Sequence, residues 1–183
     1  MTDAARFEAF VREFQDMVYA VAVRLLANPT EAEDVSQTVF LKAYERFAEL
    51  DANPAAPGWL KTVATNISLN HLSRYRARWR FFSELGSDEQ DARSGERGLE
   101  STLADGGAGP DEPLQLRERD AALEAALHRL PDHQRVPLVL YHFEDKSYQE
   151  IASLLGVSLA KLKTDIFRGR ETLRRVLTDH GSI

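Results

Sequence analysis

The chain has 183 residues, of which 43% are hydrophobic, and a formal net charge of −6, so it holds apolar material for one ordinary domain or two small ones. It contains no cysteine, which excludes disulfide frameworks, thiolate zinc sites and cysteine nucleophiles. No run approaches the roughly 18–20 apolar residues that span a bilayer, and the opening MTDAARFEAF lacks the basic-then-apolar order of a signal peptide, so a cytoplasmic protein is expected.

Phe7, Phe10, Val11, Phe14, Val18, Val21 and Leu25 recur at three- and four-residue steps and predict a first helix of about five turns. Asn28 and Pro29 break the pattern. Thr30 and Glu33 have capping-box spacing for a second helix from about Glu31 to Ala48, which would bury Val35, Val39, Ala43 and Phe47. DANPAAPG reads as a loop, after which Trp59, Leu60, Val63, Ala64 and Ile67 begin a third helix. That helix leads into NHLSRYRARWRFF, where Arg74, Arg76, Arg78 and Arg80 alternate with Tyr75, Trp79, Phe81 and Phe82 and no carboxylate is near.

Charge divides the chain at the same places. Residues 1–57 carry −5, 58–82 carry +5, 83–113 carry −7 and 114–183 carry +1. A basic segment can thus bind phosphate although the whole chain repels it. Arginines interleaved with aromatics suit duplex phosphates and the faces of unpaired bases together. The same aromatics, however, suit closure of a small core.

Residues 83–113, rich in Gly, Ser and acid, read as a flexible linker. Beyond it Leu116, Leu123, Leu127 and Leu130 mark a helix, and Asp132 is the expected N-cap of the next, which reaches about Phe143. Pro137 inside that stretch predicts a kink or an altered start. SYQEIASLLGVS then places Ser147 and Glu150 in capping-box spacing, a short apolar helix, Gly156 where a left-handed turn is needed, and Ser158 to cap LAKLKTDIFRGRETLRRVL. Two helices joined this way make a helix-turn-helix. Between Lys161 and Arg175 the second carries six basic residues against Asp165 and Glu171, a charge that suits a major groove. No strand alternation occurs, so the expected class is all-α: two small helical domains, 1–82 and 114–183, joined by the acidic linker.

Chemistry is not indicated. His71, His128, His133, His142 and His180 fall in no ligand spacing, and there is no phosphate-cradling glycine loop or nucleophile arrangement, so neither enzyme activity nor a cofactor or metal is expected. From these residues alone, a stand-alone helix-turn-helix regulator accounts for residues 147–175 but leaves AEDVSQTVFLKAYERF and the arginine-aromatic segment without a role.

The order AEDVSQTVFLKAYERF, WLKTVATNISLNHLSR, acidic linker, LPDHQRVPLVLYHFEDKSYQEIASLLGVS resembles bacterial sigma factors of the extracytoplasmic-function group. Residues 7–80 resemble the second conserved region and 117–177 the fourth. The resemblance implies a non-catalytic subunit that binds core RNA polymerase and promoter DNA and is held by an anti-sigma factor or other regulatory protein. It assigns Glu33, Asp34, Gln37, Phe40 and Leu41 to the clamp helices of the polymerase's largest subunit, and the loop from Leu50 to Pro57 to a base flipped from the minus-ten element. Asn66, Asn70, Arg74 and Arg78 fall to the upstream part of that element, with Arg76 and Arg80 in the same basic helix. Ser158, Lys161, Lys163, Thr164, Arg168 and Arg170 fall to the minus-thirty-five element. The chain departs from the family pattern at Asn70, where Asp is frequent, and in VSLAKLKTDIFRGR, where Lys161 stands for Thr, Thr164 for Ser and Asp165 for Arg. Asp165 either pairs with Lys161 on an exposed helix face or accepts a hydrogen bond from a cytosine.

Overall fold

The computed structural model describes residues 3–72 and 112–179. Among them are eight helices and no strand: α1 (Asp3–Leu26), α2 (Pro29–Glu45), α3 (Phe47–Leu50), α4 (Ala56–His71), α5 (Glu112–Arg129), α6 (Asp132–His142), α7 (Tyr148–Leu155) and α8 (Leu159–Asp179). The arginine-aromatic segment from Arg74 to Phe82 and the linker up to Asp111 lie outside the described residues.

α1 is longer than its apolar stripe required. It packs on α2 and α4 and buries Phe10, Val18, Val21, Ala22, Leu25 and Leu26. It ends where Ala27 turns left-handed, at φ 51°. The start of α2 differs from the expected Thr30–Glu33 capping box. Asn28 is extended, and its side-chain oxygen accepts from the backbone N–H of Thr30 at 3.1 Å and of Glu31 at 3.3 Å. Pro29, with its fixed φ and no N–H to satisfy, moves the first helical position upstream of the threonine. α2 also stops early, at Glu45, because the chain turns at Arg46 to bring Phe47 against α1. Phe47 lies 5.1 Å from Phe7 and 5.6 Å from Phe10 between ring centroids, both edge-on, and Tyr44 lies 4.9 Å from Phe7. Edge-to-face aromatic pairs of this kind add about 0.5–1.5 kcal/mol beyond area burial.

The C-terminal helices form a second group in which α8 packs on α5, α6 and α7. Pro131 takes the extended N-cap position expected of Asp132, and Asp132 is instead the first helical residue, its carboxylate spent on Arg135. The helix runs through Pro137, which is buried, since the missing N–H frees only the carbonyl of His133 in the first turn. At Gly169 α8 comes so close to α6 that a Cβ would sit 2.5 Å from Leu138 Cδ1 and 3.3 Å from the carbonyl oxygen of Gln134. Gly58, in the first turn of α4, meets nothing within 4 Å. Gly58→Ala should therefore raise stability by about 0.5–1 kcal/mol through the unfolded chain. Gly169→Ala should lower it by about 1 kcal/mol, because overpacking exceeds the gain in helix propensity; paired urea titrations give both signs.

The two groups meet at the C-terminal end of α1, against α6 and α5. Arg135 of α6 is buried and reaches across to the Leu25 carbonyl, which has no intrahelical partner because α1 stops one residue later.

Candidate functional site

Three surfaces carry groups that packing does not require. The first is a ridge on α2. Glu33, Gln37, Leu41 and Tyr44 follow one another at four- and three-residue steps, with Phe40 three residues after Gln37 and four before Tyr44, so they share a face, with Asp34 at its edge. Glu33, Asp34 and Gln37 are exposed and Phe40 is half-buried, while Leu41 and Tyr44 are 68% and 62% exposed. With Phe7, Val11 and Tyr19 of α1, Gln37, Phe40, Leu41 and Tyr44 line a groove of about 660 Å³ whose lining also includes Asp16 and Glu33. Large apolar side chains left in water inside an acidic rim have the make-up of a docking surface rather than of a core. Of the residues expected here, Glu33, Gln37, Phe40 and Leu41 line the groove and Asp34 does not, while Tyr44, which the sequence reading did not select, lines it as well.

The second surface is the outer face of α4, where Thr62, Asn66 and Asn70 are exposed four residues apart, opposite the buried Leu60, Ala64 and Leu69. Ahead of it, Asn53 fixes the turn from Leu50: its Nδ2 donates to the Glu49 carbonyl at 3.0 Å, and its Oδ1 accepts from the Ala55 N–H at 2.9 Å. Asp51 in the same turn is ion-paired with Arg6. The turn therefore holds its shape without a ligand, with Ala52 to Ala55 exposed. Arg74, Arg76, Arg78 and Arg80 lie outside the described residues.

The third surface is the helix-turn-helix of α7 and α8. Ser147 and Glu150 form the capping box: the Glu150 N–H donates to Ser147 Oγ at 3.3 Å, and the Ser147 N–H to Glu150 Oε2 at 2.8 Å. The Ser147 N–H, together with the Ser147 hydroxyl, which donates to the same Oε2 at 2.7 Å, holds the Glu150 carboxyl below its ordinary range. Gly156 makes the left-handed turn at φ 67°, and Ser158 Oγ accepts from the Lys161 N–H at 3.2 Å. Ser158, just before α8, and Lys163, Thr164 and Arg168 on it are exposed, together with Phe167, which is 55% exposed and which the sequence reading passed over.

Two expected DNA ligands have partners inside the protein. Arg170 lies 5.5 Å from the Tyr141 ring centroid and hydrogen-bonds His142 at 3.3–3.4 Å. Lys161 donates to both oxygens of Asp165 at 2.7 Å. Asp165 is itself only 3% exposed, because it falls on the inward stripe with Leu162 and Ile166. The ion pair is therefore buried at its acidic end instead of exposed.

Burial raises the Asp165 carboxyl above its ordinary value, against the pull of Lys161. Between the unfolded value of 3.8 and the raised one, the folded chain retains a proton that the unfolded chain has released. This contribution to stability is fully present below the unfolded value of 3.8 and is lost as pH rises through the raised one. Asp165→Asn should remove that loss, so the variant gains on wild type from acid to neutral pH; urea midpoints at both ends test it.

The sequence reading also missed the polar contacts between the two helix groups. Arg24 donates to Glu124 at 2.6 and 2.5 Å, and its guanidinium lies 4.3 Å from the Phe143 ring centroid. Burial raises the Glu144 carboxyl, opposed by Lys61 of α4, Lys146 and Arg24. No spacing rule pairs residues a hundred positions apart. The one local signal was an arginine within the apolar run of α6. Among the histidines, burial lowers His133 and His142 below their ordinary values, and no group of metal-ligating side chains occurs among the described residues. No helix among them is long and apolar enough to cross a membrane.

Comparison with known proteins divides the chain where these surfaces fall. The family described as Sigma-70 region 2 matches residues 10–79, and that described as Sigma-70, region 4 matches residues 120–173. ECF RNA polymerase sigma factor SigW of Bacillus subtilis is 29% identical over 97% of this chain and 91% of its own. RNA polymerase sigma-H factor of Pseudomonas aeruginosa is 27% identical over 96% and 88%. ECF RNA polymerase sigma factor SigE of Mycolicibacterium smegmatis is 32% identical over 96% of this chain and 63% of its own.

Proposed function

The chain belongs to the sigma-70 family, in its extracytoplasmic-function group, and we infer that it works as an alternative sigma factor, binding core RNA polymerase and directing promoter recognition, melting and initiation. Members of the family are not classical enzymes, and in this reading the chain is not an enzyme: it contributes binding energy and position while the polymerase does the chemistry. It acts in the cytoplasm.

We assign residues 1–82 to polymerase and minus-ten binding, 83–113 to a tether, and 114–183 to minus-thirty-five binding. Glu33, Asp34, Gln37, Phe40 and Leu41 take the polymerase. Asn66 and Asn70, with the arginines 74, 76, 78 and 80, take the minus-ten element, and Ser158, Lys163, Thr164 and Arg168 the outer face of the recognition helix. The observation that carries the reading is one chain with an acid-rimmed apolar ridge at Leu41 and Tyr44 and a capped helix-turn-helix with exposed cations. A regulator acting on DNA alone has no use for the ridge. An anti-sigma protein competing for that ridge is the regulatory partner of this scheme.

Core polymerase should be captured by the immobilised chain, and promoter binding should show steep salt dependence. Lys163→Ala with Arg168→Ala should lower the log–log salt slope by about 1.8, at roughly 0.9 per duplex phosphate contact. Binding of DNA without capture of polymerase would favour the stand-alone regulator.

A further inference from the structure

Lys161 and Asp165, two positions at which the recognition helix leaves its family pattern, are the two ends of a single ion pair. Lys161 lies in the first turn of α8, and in a helix-turn-helix the N-terminal residues of the second helix are the ones that meet base edges. Seven residues on, Arg168 occupies the same flank and is exposed. An ammonium group has three N–H donors. Two are spent on the Asp165 oxygens at 2.7 Å each, which leaves one.

Resting on the sigma-factor reading, we propose that Asp165 is a positioning residue for Lys161, and that Lys161 so held reads a guanine O6 or N7 at one base pair of the minus-thirty-five element. Asp165, at 3% exposure, cannot reach DNA, so its effect on recognition passes through Lys161. A free lysine is a flexible point charge that any phosphate satisfies. A lysine pinned by a buried carboxylate has its charge largely cancelled and its rotamers already ordered, so it gives little to phosphate and a fixed donor to a base acceptor.

The test is selection on randomised promoter DNA with the full chain and core polymerase, using wild type, Lys161→Met, Asp165→Asn and the double variant, with salt slopes measured on the selected site. Lys161→Met should lose about tenfold preference for guanine at one base pair with the slope unchanged. Asp165→Asn should weaken the same preference and steepen the slope by about 0.9, as the released ammonium finds a phosphate. The double variant should match Lys161→Met, and Lys161→Arg should keep a guanine preference. The inference is overturned if Asp165→Asn leaves preference and slope as in wild type, or if its effect persists when Lys161 is already Met. Wild type that forms no promoter complex overturns the underlying reading, and this inference with it.

Discussion

Arg135→Ala should cost the chain about 3–5 kcal/mol, because removing one side of a buried charged network strands every group it satisfied. The guanidinium donates to the Leu130 carbonyl at 2.8 Å and to the Leu25 carbonyl at 3.2 Å, and is paired with Asp132. It thus closes the C-terminal ends of α5 and α1 at once, helix ends whose carbonyls carry partial negative charge. Against a typical total stability of about 5–15 kcal/mol, the loss should be plain in a urea titration. Arg24→Ala, which breaks a partly exposed pair with Glu124, should cost about 1 kcal/mol or less. Equal costs would show that burial of Arg135 does not set its weight.

Leu41→Asp should weaken core polymerase binding by at least about 2 kcal/mol, roughly thirtyfold, while leaving the thermal midpoint almost unchanged. The two effects separate because Leu41 is 68% exposed and adds little to the fold. A carboxylate placed there would have to be desolvated against the partner's apolar face, beside an acidic rim that already includes Glu33. Leu159→Asp, at a residue 41% exposed in the first turn of α8, should leave polymerase affinity unchanged. Titration of labelled chain against core polymerase reads both.

Much of this architecture was legible because it is local. The three- and four-residue steps from Phe7 to Leu25 placed α1, and the Ser147–Glu150 spacing with Gly156 placed the helix-turn-helix. Errors fell where two local signals competed. Asn28 and Thr30 both offered caps, and Pro29 decided between them. The end of α2 was read about three residues late because no helical pattern encodes the pull of Phe7 and Phe10 on Phe47.

The candidate surfaces were legible as residue types at helical spacing, but orientation was not. Lys161 and Arg170 were read as DNA ligands from the helix's charge and the family resemblance, and folding gives each an internal partner. Asp165 was weighed as an exposed residue, and one face of α8 takes it inside. Arg135 and Arg24 escaped notice because their partners come from the other half of the chain.

The most direct measurement is run-off transcription by core RNA polymerase on a genomic promoter library, with and without the chain. Discrete start sites should appear only when the chain is added, and should disappear with Leu41→Asp at equal protein concentration. Unchanged transcription from core polymerase with a chain that nonetheless binds DNA would contradict the account.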